Sequence, residues 1–175
     1  DETNNDYPCN QVTIEDDLPD LVADRVSTSS SSAVMGEDIS VTYRIENDGH
    51  DYSGSFYWEV YLSTDRTITT NDILVDEFSR SSISPGSYAS GTKYNVQIPT
   101  GITPRYYYLG MIVDSRSGVS ELDETNNIIE SSSRINVEEQ ADLVPQTISG
   151  PNSAYTGQQV SLSWRIDNDG DDSSG

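Results

Sequence analysis

The chain is 175 residues long, room for about one domain and part of another, and sets 30 acidic against 9 basic side chains for a formal charge of −21. A surface so acidic does not suit nucleic acid or an anionic membrane face, both of which need clustered Lys and Arg, and it favours cations as small partners. No apolar run approaches the roughly 20 residues that span a bilayer, so no membrane insertion is expected.

The sequence opens on DETNN, and the same five letters return at 123–127, 122 positions on. DLV at 20–22 recurs at 142–144 with the same spacing, and GEDISVTYRIENDG (36–49) is matched 121 positions on by GQQVSLSWRIDNDG (157–170). Ile39, Val41, Tyr43 and Ile45 map in order onto Val160, Leu162, Trp164 and Ile166. A period of this size is the length of a domain. Residues 1–14 read as the last strand of a preceding repeat and 15–19 as a linker. Residues 20–137 read as one complete repeat, 138–141 as a second linker, and 142–175 as the first two strands of a following repeat.

Within the complete repeat, apolar residues alternate with polar ones, the signature of half-buried strands. DLVADRV opens it with Leu21 and Val26 on an irregular strand. DISVTYRIEN then places Ile39, Val41, Tyr43 and Ile45 on one face, and SFYWEVYLS places Phe56, Trp58, Val60 and Leu62 inward with Tyr57, Glu59 and Tyr61 opposite. ILVDEFS (73–79) fits a short strand, and TKYNVQIP aligns Tyr94, Val96 and Ile98 on one face. RYYYLGMIVD sets Tyr107, Leu109, Met111 and Val113 against Tyr106, Tyr108 and Ile112, and SRINV closes the domain with Ile135 and Val137. The serine-rich STSSSS (27–32) and SRSSIS (79–84) read as polar loops, and NDGHDYSG (47–54) and SPGS (84–87) as turns. No stretch holds a helical period. About seven short strands with frequent turns predict an all-β fold, an antiparallel immunoglobulin-like β-sandwich whose core includes Tyr43, Trp58 and Met111.

The ends cannot close a core alone, because two strands are marginal in water. Val160, Leu162, Trp164 and Ile166 would form an apolar face with an open edge, and Val12 and Ile14 belong to the strand type that it lacks. Head-to-tail contact with other copies of the chain, by strand addition, is therefore expected.

The ordered set DLV, V-x-x-G-x-x-[IV]-x-[VL]-x-[YW]-x-I-x-N-x-G, VYLSTD, SPG and YYLGMIVDS…ELDETNN resembles the CARDB domain (cell-adhesion-related domain found in bacteria) over residues 20–137, and over 142–175 for the first two strands. The resemblance implies a tandem immunoglobulin-like module of a secreted or cell-surface protein, without catalytic activity, serving as spacer, stalk or filament subunit. A carbohydrate-binding module and an accessory domain of a secreted hydrolase are the rival readings.

The residues offer little for catalysis. The only histidine, His50, sits in a polar turn, and the single cysteine, Cys9, has no partner in the chain, so neither a His-based triad nor a zinc site can be assembled. Calcium, which takes six to eight oxygen ligands, is the candidate cofactor. One cluster is Asp65, Asp72 and Asp76 in STDRTITTNDILVDE; the other is Asp114 and Asp123 in VDS…ELDETNN, with Glu121, Glu124, Asn126 and Asn127 beside them. The alternative is that Asp65 and Asp123 fold the local turns. Tyr57, Tyr61, Tyr106 and Tyr108 would form a platform for surface glycans if exposed together, or half-buried sheet positions if not.

Overall fold

The computed structural model of the protein describes residues 16–170, so Cys9, Val12 and Ile14 lie outside the described residues. The described residues form ten strands and no helix. β1 (Leu21–Thr28), β3 (Asp38–Asn47) and β6 (Ser87–Gln97) form a three-stranded antiparallel sheet in the order β1-β3-β6. β2 (Ser32–Val34), β4 (Phe56–Ser63), β5 (Ile73–Arg80), β7 (Arg105–Val113) and β8 (Ile128–Glu138) form a five-stranded sheet in the order β2-β8-β7-β4-β5. The two sheets face each other across one apolar core, the arrangement of an immunoglobulin-like sandwich.

The strict alternation of β3 is what builds half of that core. Ile39, Val41, Tyr43 and Ile45 are buried in turn while Thr42 stays exposed. Opposite them stand Trp58, Val60, Leu109 and Met111, each 1% exposed or less. Trp58 bridges the layers. Its ring lies 4.4 Å from that of Tyr43 and 4.5 Å from that of Phe78, tilted contacts that bury three aromatic surfaces together. At the entry to β7, the Tyr107 hydroxyl donates to the Thr103 carbonyl four residues upstream at 2.7 Å. This is the tyrosine corner that pins the crossing between sheets in immunoglobulin-like domains.

Three features depart from the periodicity. The complete domain has eight strands rather than about seven, because Ser32–Val34 pairs parallel with β8; a three-residue strand with one inward side chain, Ala33, has no alternation to read. Tyr94 is 72% exposed although Val96 and Ile98 are buried. Asn95 takes a left-handed conformation (φ 58°), and Tyr94 and Asn95 together oppose Ser40 alone, so this bulge turns Tyr94 outward. Tyr61, expected on the outer face, is 4% exposed. The 64–72 loop folds back over the five-stranded sheet, and Ile68 packs with Tyr61 and Ile112 in a small second cluster. Gly110 leaves the space for this, since a Cβ there would stand 2.6 Å from the Ile68 side chain.

Among the described residues, β9 (Leu143–Ser149) and β10 (Ser163–Asn168) pair only with each other. Their register shifts between Arg165 and Ile166, while the β1–β3 register shifts opposite the equivalent Arg44 and Ile45. Ile148, Leu162, Trp164 and Ile166 are all half exposed or nearly so, and Trp164 is 69% exposed.

Replacing Trp58 with alanine removes the contact that joins the sheets and leaves a large cavity. A loss of about 3–5 kcal/mol of unfolding free energy is expected, read from the denaturant midpoint of the variant against the parent chain.

Candidate functional site

Two inward polar residues organise one end of the sandwich. Asn47, the last residue of β3, is fully buried. Its Oδ1 accepts from the backbone of Asp20 at 3.0 Å and of Gly49 at 3.2 Å, and its Nδ2 donates to the carbonyls of Asp51 at 2.8 Å and Ile83 at 3.0 Å. Every hydrogen-bonding capacity of the amide is used, as burial demands. Gly49 lets the linker lie flat on this turn, for a Cβ would meet the Pro19 carbonyl carbon at 2.4 Å. The backbone of Asp48 and His50 then binds the carbonyls of Asp20 and Leu18 at 2.8 and 2.9 Å.

The same seat is built again farther along. Asn168 Oδ1 accepts from Asp142 at 2.9 Å and from Gly170 at 3.2 Å, Asp169 donates to the Asp142 carbonyl at 2.8 Å, and a Cβ on Gly170 would stand 2.2 Å from the Gln140 carbonyl oxygen. Three bonds of the first seat, those of Asp20 and Gly49 to Asn47 Oδ1 and of Asp48 to the Asp20 carbonyl, recur at a displacement of 121 or 122 residues.

The corner between β7 and β8 carries the second polar group. Asn127 donates to the Leu21 carbonyl at 3.0 Å and to Glu121 Oε1 at 2.9 Å, while Leu21 N–H donates to Glu121 Oε2. Ala23 N–H reaches the Asn126 carbonyl at 3.1 Å, and Asn126 Nδ2 reaches Asp20 at 2.8 Å. These bonds tie the start of β1, in one sheet, to the corner of the other. Burial pushes the Glu121 carboxyl up to about 7, with nearby Glu124 and Asp114 adding to the rise and the two N–H donors opposing it. Asp114, buried and left-handed at φ 46°, accepts from Gly118 at 3.1 Å and Val119 at 2.9 Å and so folds its own loop. Asp123 is exposed and turned onto Thr125, whose N–H and hydroxyl donate at 2.9 and 2.6 Å and hold its carboxyl below the usual range.

The other calcium candidates are also engaged locally. Asp65 accepts from Thr67 N–H at 2.7 Å, Asp72 from Thr69 N–H at 2.7 Å, and Asp76 from Glu77 N–H at 2.8 Å. The first two are turn-forming bonds, and the third lies within β5. Among the described residues no three Asp, Glu, His or Cys side chains converge in a metal-binding group.

The tyrosine platform is divided. With Tyr61 buried, the outer face of the five-stranded sheet shows Tyr57, Tyr106 and part of Tyr108, each beneath an arginine. Arg116 lies 3.7 Å from the Tyr57 ring, Arg134 lies 5.0 Å from Tyr106, and Arg66 lies 5.1 Å from Tyr108. A sugar stacking on these rings would first have to displace a guanidinium. Sequence reasoning did not find Asn47 or the role of Gly49; the recurrence of N-D-G at 47–49 and 168–170 was the available signal.

Sheet order, core and tyrosine corner define an immunoglobulin-like β-sandwich domain. The chain belongs to the CARDB family, whose profile matches residues 18–131. Among solved structures it is similar to the CARDB domain of a Pyrococcus furiosus protein crystallised in complex with di-metal ions, at 20% identity and a TM-score of 0.52 over 71% of this chain and 97% of that one. The same archaeal domain in solution matches at 20% identity and a TM-score of 0.49, covering 69% of this chain and 96% of that one. A domain of a protein described as a cell surface protein of Methanosarcina acetivorans matches at 24% identity and a TM-score of 0.45, covering 69% and 92%. No curated protein matches the sequence. No helix of the described residues is long and apolar enough to cross a membrane.

Because the folded state holds the Glu121 proton more tightly than the unfolded chain does, this group stabilises the fold fully below the ordinary carboxyl value of about 4.3, and that contribution disappears as pH rises through about 7. Between those limits the unfolding free energy of the parent chain should decline more steeply with pH than that of Glu121→Gln. Parallel slopes from urea titrations at several pH values would refute the assignment.

Proposed function

We propose that the chain is a non-catalytic spacer segment of a secreted or cell-surface protein, built from CARDB domains joined in series by seated linkers. The observation that carries this reading is the double occurrence of the linker seat, Asn47 and Gly49 around Asp20, then Asn168 and Gly170 around Asp142. A module that only bound a ligand would have no need to fix the peptide entering it. Here the entering peptide is fixed twice, with three bonds in common. The linker after β8 has little slack, since Met35 N–H binds the Glu138 carbonyl at 2.9 Å on one side and Asp142 is seated on the other. CARDB is a family of cell-adhesion-related domains, which fits a stalk or spacer role.

Residues 142–175 act in this reading as the opening strands of a further domain. Trp164, Ile166, Leu162 and Ile148 are the counterparts of Tyr43, Ile45, Val41 and Val26, all buried in the complete domain against the five-stranded sheet. The strands of that further domain cover the Trp164 face in the assembled protein, and at high concentration residues 1–14 of another copy add to it head to tail.

Two measurements address these statements separately. In Gly170→Leu the new side chain pushes residues 140–142 off their seat, so small-angle scattering should show a broader spread of distances between the complete domain and the β9–β10 unit. A profile identical to the parent's would sink the stiff-linker reading. In Trp58→Phe, Trp164 is the only tryptophan. Its emission should shift to shorter wavelength as sedimentation velocity shows the chain associating. A monomer at every concentration, with emission unchanged, would overturn head-to-tail assembly.

A further inference from the structure

We propose that the corner between β7 and β8 holds a calcium-type divalent cation through Asp114, Glu124, Ser115 and the side-chain oxygen of Asn127. β7 ends at Val113, the left-handed Asp114 turns the chain out, and the return is closed where Val113 N–H donates to the Asn127 carbonyl at 2.8 Å. Between the two arms lies a cleft of about 220 Å³ lined by these four residues among others. No basic side chain lines it. The nearest loop cation, Arg116, is committed elsewhere, donating to both carboxylate oxygens of Glu77 at 2.8 Å and stacking on Tyr57.

Asp114 accepts from Gly118 and Val119 N–H, but two other side-chain oxygens at the cleft have no partner. Asn127 is 8% exposed; its Nδ2 is spent on Leu21 and Glu121, while its Oδ1 is buried without any hydrogen-bond partner. Ser115 Oγ is likewise buried and unpartnered. Only six buried side-chain N or O atoms among the described residues lack a partner, and three of them, on Ser115, Asn126 and Asn127, fall in this corner. All three are oxygens. Asp114, 6% exposed, brings a carboxylate with no cationic side chain against it, and Glu124 brings a second, of which Oε1 accepts from Glu121 N–H at 3.0 Å. Buried oxygens without donors beside unneutralised carboxylates are what a hard cation satisfies. The ligand type selects its class: all-oxygen donors, mixed carboxylate, amide and hydroxyl, suit calcium rather than a metal that prefers nitrogen or sulfur. Two carboxylates rather than three place the site with the weak extracellular ones, whose dissociation constants are about 10⁻⁴ to 10⁻³ M. Cation binding would brace the corner to which the start of β1 is bonded.

The test is a titration of the whole chain with calcium chloride, followed by its amide resonances, with sodium chloride of equal ionic strength as control. Saturable shifts confined to 113–118 and 124–128 are expected, half-complete at about 10⁻⁴ to 10⁻³ M calcium. Glu124→Gln keeps the oxygen that Glu121 N–H uses, so the fold should hold, but affinity should fall about tenfold with the lost ligand charge. No saturable shift by about 10 mM calcium, ten times the weakest constant expected, would overturn the site. So would an equal response to sodium, an unchanged response in Glu124→Gln, or shifts centred on 65–76.

Discussion

The bonds between the start of β1 and the β7–β8 corner carry the architecture. β1 belongs to the three-stranded sheet, yet its first residues are bonded to Glu121, Asn126 and Asn127, which belong to the other layer. A sandwich held only by apolar contact between its faces leaves the layers free to slide, because the hydrophobic effect has no direction. Hydrogen bonds made in a dry seam do have direction, and there each unmade partner costs about 1–3 kcal/mol. The seam therefore fixes how the start of β1 sits against the other layer. It also fixes where Asp20 emerges, and so where the linker can be seated by Asn47.

Much of the core was legible in the sequence, and the reason is geometric. A strand with one face dry repeats every two residues, so Ile39 to Ile45 and Phe56 to Leu62 declare their direction without knowledge of their partners. Tyr94 was misplaced because a single left-handed residue, Asn95, reverses the face, and asparagine in a strand gives no unique sign of it. Tyr61 lies on the outer side, as its period requires, but its burial was not legible, because its cover comes from Ile68 in a loop that packs against Gly110, more than forty residues downstream. The acidic corner was visible as composition only. The partners of Glu121 and Asn127 at Leu21 are 100 and 106 residues away, and no local pattern encodes a bond across such a distance. The seat of Asn47 was visible as a repeated N-D-G without its purpose, which lies in the linker that it grips.

Basic side chains are scarce, and the structure places them with economy. Five of nine, Arg44, Arg66, Lys93, Arg116 and Arg134, stand over aromatic rings. Arg66 and Arg116 also hold Glu130 and Glu77. A cation over a ring face gains from the ring quadrupole, about 0.5–1 kcal/mol when exposed, and its presence shields tyrosines that would otherwise form a sticky patch on the outer sheet. Among charged groups the carboxylates far outnumber the cations, and they repel neighbouring molecules at low salt and less so as the Debye length shrinks.

The seat has a consequence for how the molecule is made. Asp20 is gripped by a residue 27 positions later, and Asp142 by one 26 positions later. The peptide ahead of β1 is thus held by a residue that follows it, at the far end of β3. Made from the N-terminus, the chain cannot form that bond until β3 itself has been made, so the segment before β1 is fixed late although it comes first.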